Sequence, residues 1–233
     1  DFYRLAEAKG AYEYAPKKTN RFSFVQRYDS LHNITCKNQY HEIVQQKGRG
    51  IVQHFTTYDW LYNHDGPQPH TSTHIGDLSC SWDLNGNQTG WTHDRNGTRR
   101  TIEWDEENRI QSISDNGHTM RYKYDDRGER VIKRGPQGET VYVNRFFTVR
   151  NRTVATKHVF AAGERVATKL SPGFLNALPP SGHPESNFLY FYHADHAGNS
   201  MFLTDKDGEL FQHVQYFPFG EVWVEETSNI QRT

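Results

Sequence analysis

Between Arg100 and Lys133 one short module occurs twice: an aromatic–Asp pair, a polar turn, then Arg and a β-branched residue. The first copy is Trp104-Asp105-Glu106-Glu107-Asn108-Arg109-Ile110. The second is Tyr124-Asp125-Asp126-Arg127-Gly128-Glu129-Arg130-Val131. The two Asp lie 20 residues apart, room for two strands and two turns. Repetition at such a period points to an array, in which each unit buries its apolar face only against its neighbours.

The physics of one module is readable. Trp104 and Tyr124 end runs that alternate polar and apolar, such as Thr119-Met120-Arg121-Tyr122-Lys123-Tyr124, and such runs are strands. The Asp that follows bonds the backbone amide two residues on, while Asn108 or Gly128 takes the positive φ of a tight hairpin. The chain returns through Ile110 or Val131. Burying the large aromatic before the turn is worth about 1.5–3 kcal/mol.

Further copies flank this pair. Arg21 to Asp29 reads as a strand ending in Tyr28-Asp29, with Asn33 near its turn and Cys36 to His41 as the return. Another copy runs Trp82-Asp83-Leu84-Asn85-Gly86. Pro16 to Asn20 reads as a loop, Gly48-Arg49-Gly50 as a break, and Ile51 to Asp59 as a strand; Trp60-Leu61-Tyr62 after it is too apolar for the usual turn. Ser171 to Ser186 holds four of the nine prolines and breaks the rhythm. Past Phe188 the rhythm resumes, with turns at Ala194–Asn199 and Asp205–Gly208 and a Pro at 218. The expected organisation is a repeat sheet over 1–170, a Pro/Gly-rich loop or insertion over 171–187 and a second block of repeats over 188–224. A polar tail over 225–233 is expected to lead into a further segment.

Composition agrees with an all-β chain lacking one thick core. Only 34% is hydrophobic and mean hydropathy is −0.90, yet 14% is aromatic. A curved antiparallel sheet with both faces partly wet suits that balance. The net charge of −1 gives no electrostatic case for nucleic acid or an anionic membrane. No apolar run approaches the roughly 20 residues that span a bilayer. Cys36 and Cys80 permit one disulfide but do not argue for it over two thiols.

The strings YDSLHNIT (28–35), WDLNGNQ (82–88), WDEENRI (104–110), YDDRGERV (124–131), YHADHAGN (192–199), TDKDGEL (204–210) and YFPFGE (216–221) together resemble the Rhs/YD-repeat family. The likeness covers nearly the whole chain. It is closest to the repeat-core end of bacterial Rhs toxins and of the C component of insecticidal toxin complexes. There the family-type residues are His193, Asp195, His196 and Gly198, then Asp205 and Gly208, then Tyr216, Pro218, Phe219 and Gly220. The resemblance implies a hollow shell built from a spiralling β-sheet strip around a C-terminal toxic domain, in a secreted or exported bacterial protein with the cell surface possible. It implies as partners the remaining parts of the shell and the enclosed toxin, with a B-type shell component and a translocation or secretion machine as further ones. The segment carrying the family's protease aspartates is absent from this sequence, so no catalytic residue carries over. Ala197 stands where a larger residue is usual. The animal teneurins, adhesion proteins that resemble the same shell, supply the alternative: a cell-surface adhesion or carbohydrate-binding module.

Other chemistry competes with this frame. His193, Asp195, His196 and His213 invite a metal reading, as do His64, His70 and His74. Turn structure accounts for the first set, and a Pro-rich loop does not fix the second. Asp205-Lys206-Asp207-Gly208-Glu209 opens like a calcium loop, but Tyr216 occupies the place of the bidentate Glu. Glu106-Glu107 and Glu225-Glu226 are adjacent, so on a strand they face opposite ways. No nucleophile, zinc or phosphate-loop motif is present. The expectation is therefore a non-enzymatic segment without cofactor or metal, whose Asp29, Asp83, Asp105 and Asp125 cap turns. Four sequons, at Asn33, Asn87, Asn96 and Asn151, matter on a eukaryotic secretory route.

Overall fold

A computed structural model describes residues 3–13, 18–45, 51–53, 56–172 and 189–227. These residues form strands and turns with no helix, hence none long and apolar enough to cross a membrane. The chain divides into two compact units, Asp1–Gly117 and His118–Thr233.

The first unit holds β1 (Glu7–Glu13), β2 (Lys18–Tyr28), β3 (Ile34–Gln45), β4 (Ile51–Gln53), β5 (Tyr58–Asn63), β6 (His74–Ile75), β7 (Leu78–Trp82), β8 (Gln88–His93), β9 (Arg99–Trp104) and β10 (Ile110–Asp115). Each strand pairs antiparallel with the one before it, except that β5 pairs with β3, beside the short β4. The second unit holds β11 (His118–Tyr124), β12 (Arg130–Gly135), β13 (Gly138–Asn144), β14 (Phe147–Arg150), β15 (Val154–Ala161), β16 (Glu164–Pro172), β17 (Leu189–Ala194), β18 (Ser200–Thr204), β19 (Leu210–Tyr216) and β20 (Val222–Thr227). Here every strand pairs antiparallel with its sequence neighbours. The all-β hairpin architecture is as the sequence pattern requires.

Several boundaries differ from expectation, for local reasons. Lys18 to Asn20 already belong to β2, because they pair with Ile43, Val44 and Gln45 of a β3 that runs well past His41. The stretch 51–59 is two strands rather than one, and Trp60-Leu61-Tyr62 lie inside β5. Tyr58, Trp60 and Tyr62 share its sheltered face, while Leu61 is 63% exposed on the other. The Gly48-Arg49-Gly50 break lies outside the described residues, as do 173–187 of the Pro-rich stretch and 228–233 of the polar tail. Ser171 and Pro172 close β16, and Glu225 to Thr227 complete β20.

The buried sets are small and different in kind. In the first unit Phe24 is buried beside Asn20, Gln26, Gln39 and His41, a largely polar set. His41 Nε2 meets Asn20 Oδ1 at 2.6 Å, its Nδ1 meets Thr56 Oγ1 at 2.5 Å, and Gln39 Nε2 donates to the Thr56 carbonyl at 3.0 Å. In the second unit the buried side chains are mostly apolar: Val149, Ala155, Ala167, Tyr190, Val214, Phe217 and Val224. Cys36 and Cys80 are half-buried free thiols. Cys36 donates to Asn38 Oδ1 at 3.0 Å, and burial pushes the Cys80 thiol above its usual range.

Candidate functional site

The recurring feature of the molecule is a turn. At Asp29, Asp83, Asp105, Asp125, Asp195 and Asp205 the Asp amide donates to the carbonyl four residues on, at 2.9–3.0 Å. The amide three residues on donates back to the Asp carbonyl at 3.1–3.2 Å. The residue making that return bond has positive φ: His32, Gly86, Asn108, Gly128, Gly198 and Gly208. The strand register slips by one residue at each of these turns. This is the hairpin in which a tight turn closes on a left-handed residue and a bulge. Asn108 and Gly128 take the roles their types suit.

The carboxylate then fills the ring. Its Oδ1 accepts from the amides two and four residues on, as at Asp83 from Asn85 (2.9 Å) and Asn87 (2.8 Å), and at Asp205 from Asp207 (2.9 Å) and Glu209 (3.0 Å). Only the backbone is needed at the first of these positions, which is why Ala197 serves the Asp195 turn, its amide 2.8 Å from Oδ1. In three turns an Asn at the fourth position, Asn33, Asn87 or Asn199, donates its side-chain amide to Oδ2 at 2.9–3.0 Å; in one, the guanidinium Nε of Arg109 donates to Oδ2 at 2.8 Å. The Asp-x-x-x-Asn spacing, legible in the sequence, is the signal for these partners.

Such bonds favour the ionised acid. Asp83 and Asp195 are held below the usual 3.8, first by the amides of Asn87 and Asn199 and then by backbone N–H groups. At Asp29 and Asp105 partial burial pulls upward most strongly as a single influence. The combined hydrogen bonds from Asn33 and Leu31, or from Arg109 and Glu107, outweigh it, so both are lowered too.

A seventh turn, at Tyr216-Phe217-Pro218-Phe219-Gly220-Glu221, keeps the backbone ring without the acid. Phe217 N donates to the Glu221 carbonyl at 2.7 Å, Gly220 N to the Phe217 carbonyl at 3.0 Å, and Gly220 has φ of 87°. Phe217 sits where Asp would, only 2% exposed, with Trp223 6.3 Å away between ring centroids.

The aromatic ahead of the turn also has a polar duty. Trp82 Nε1 donates to the Ser72 carbonyl and Trp104 Nε1 to that of Gln88, both at 2.8 Å. Tyr216 Oη donates to the Ser200 carbonyl at 3.0 Å and Tyr28 Oη to that of Leu5 at 3.2 Å. Gln88 and Ser200 are each the fifth residue past an Asp, of the Asp83 and Asp195 turns. A ring in one module thus ties down the exit strand of an earlier one.

The other sequence candidates do not converge. His193 Nε2 meets Thr204 Oγ1 at 3.1 Å, whereas Asp195 is engaged within its turn. His213 is buried, stacked on Phe202 with centroids 4.4 Å apart, its Nδ1 3.0 Å from Glu226 Oε2. His64 Nε2 meets the Ile34 carbonyl at 2.9 Å and His70 Nδ1 meets Asn33 Oδ1 at 2.9 Å. Among the described residues no group of three His, Cys, Asp or Glu is gathered for a metal. Two sequon amides are committed elsewhere: Asn33 Nδ2 donates to Asp29 and to the Pro69 carbonyl, and Asn87 Nδ2 to Asp83 and Asn108.

No family model matches the chain. Over 160 residues, 67% of its length, it is 26% identical to the tRNA3(Ser)-specific nuclease WapA of Bacillus spizizenii, of which it spans 6%. Among solved structures it is similar to a chain of the Photorhabdus luminescens Tc holotoxin pore carrying a mutant TccC3. The TM-score there is 0.48 at 14% identity, over 97% of this chain and 12% of that one. The chain therefore spans a small fraction of both proteins, and it resembles the Rhs/YD-repeat proteins through its aromatic–Asp hairpins.

Proposed function

We propose that this chain is a structural length of a bacterial Rhs-type toxin shell, whose task is to enclose a C-terminal toxic cargo and help deliver it. The observation that carries the reading is the saturation of the repeated carboxylates. Six turns of one design each spend Oδ1 on two of their own backbone amides, so the repeated acid builds hairpins instead of pointing at a substrate. The segment itself performs no reaction in this reading. Its mechanism is containment by a sheet whose strands are paired to their neighbours, leaving few free edges. Export from a bacterial cell and assembly with the rest of the shell follow from the same proposal.

In the adhesion alternative the sequons would carry glycans; the side-chain amides of Asn33 and Asn87 are occupied within the fold, and glycan attached to Asn33 or Asn96, seen by mass, would favour that alternative. The deciding experiment is intact-mass analysis of the full-length parent protein together with imaging of the particle. A shell and a C-terminal fragment that separate by mass yet remain together support containment. One uncleaved chain without a cavity would sink it and make adhesion the leading account.

A further inference from the structure

The near-neutral net charge of the chain conceals a sharp division in the second unit. Residues 118–172 hold twelve Lys and Arg against five Asp and Glu, whereas 189–227 hold one against seven. Where the basic part ends, two lysines face each other: Lys157 on β15 is the direct partner of Lys169 on β16. Both are exposed, and among the described residues no carboxylate forms an ion pair with either. Like charges directly opposite on a sheet, with Cβ atoms about 5 Å apart, destabilise it.

The register places apolar side chains on the same face. Lys169 pairs with Leu189; two residues further along, Val159 pairs with Ala167 and Ala167 with Phe191; His193 then pairs with Phe202. Side chains two apart on a strand share a face. Val159, Phe191 and Phe202 are 51%, 39% and 40% exposed there. A doubled positive charge thus borders the exposed Val159, Phe191 and Phe202, with the small Ala167 buried between the first two.

We infer that this face of β15–β18 docks a polypeptide segment in which carboxylates are flanked by apolar side chains. Carboxylates set over Lys157 and Lys169 relieve their mutual repulsion, and the apolar flanks cover Val159, Phe191 and Phe202. The change of sign selects the class of partner. The pairings carry this face on through Phe202 and His213 to the acidic Glu226 on β20, four strands from β16 and about 19 Å away at about 4.8 Å per strand. A nucleic-acid backbone, charged at every nucleotide, would run onto the acidic part. A short acidic and apolar segment stops short of it. The inference is independent of the containment reading, since it concerns only this face.

The test uses the whole chain and a fluorescein-labelled peptide of Glu and Leu, with a Lys and Leu peptide and a thymidine oligonucleotide of matching length as controls. The Glu/Leu peptide is expected to bind and to weaken steeply as NaCl is raised on the unaltered protein. The K157Q/K169Q double variant is expected to lose about tenfold in affinity, about 1.4 kcal/mol, while its thermal midpoint in the absence of peptide rises. Absence of binding, or binding indifferent to both salt and the double variant, overturns the docking site. Tighter binding of the oligonucleotide overturns the class of partner. If the double variant folds poorly, the opposed lysines are not the strained pair described and the salt series alone decides.

Discussion

The turn at Asp83 and the turn at Phe217 share one backbone ring and differ in what fills it. At Asp83 a carboxylate is wrapped by the amides of Asn85 and Asn87 and by the Asn87 side chain, in the turn between β7 and β8. At Phe217 a benzyl group turns inward and is 2% exposed. The ring is therefore set by its two backbone bonds and the left-handed residue, and the residue at its head decides whether the hairpin is held by polar bonds or by burial. One device is local and ionisable; the other is anchored in packing.

The contrast breaks most visibly at the buried head. Phe217→Ala should cost about 3–5 kcal/mol, the range for emptying a buried aromatic site, read as a lowered denaturation midpoint. A loss no larger than that of Asp83→Ala would mean that the inward ring contributes nothing beyond the turn.

Acid should act next, and on the other class alone. Asp29, Asp83, Asp105 and Asp195 all have folded pKa values below 3.8, so the unfolded chain takes up protons first as pH falls. Their contribution is full above about 3.8 and is lost as pH drops through each lowered value. Melting followed from neutral pH to about pH 3 should decline in this window. Asp83→Asn should flatten its share of the decline, while the Phe217 turn has no acid there to titrate.

Smaller effects sharpen the part both turns share. Gly86 has φ of 84°, and an added methyl would meet nothing within 4 Å, so Gly86→Ala should cost roughly 1–2 kcal/mol from backbone strain alone. His32 holds the same place with φ of 71°, so His32→Gly should raise stability by roughly 1 kcal/mol. Equal responses to both substitutions, in thermal or denaturant melts, would show that the left-handed residue is not what sets the ring.

The hairpins themselves were legible because Asp, Asn and Gly advertise their turn roles at short range. Trp104-Asp105 to Asn108 and Tyr124-Asp125 to Gly128 could be read almost bond by bond. Longer-range choices could not. Nothing local tells that Trp60-Leu61-Tyr62 is strand, since an apolar run suits strand or buried loop until β3 is found beside it. The YFPFGE string was noticeable, but that Phe217 replaces an Asp within the same ring depends on burial supplied by distant residues. The reach of Trp104 to Gln88 depends on which strands are neighbours. The opposed Lys157 and Lys169 depend on register, which sequence pattern does not number.

The bonds from Trp104 to Gln88 and from Tyr216 to Ser200 imply an order of assembly. Each reaches back 16 residues, so the earlier hairpin leaves a carbonyl waiting until the later ring has been synthesised. At a translation rate of about 5–20 residues per second that wait is on the order of a second, long beside the microseconds in which a hairpin closes. A nascent strip would advance like a zip, its newest tooth always the loosest, and a ribosome pausing between Gln88 and Trp104 would hold it half-fastened.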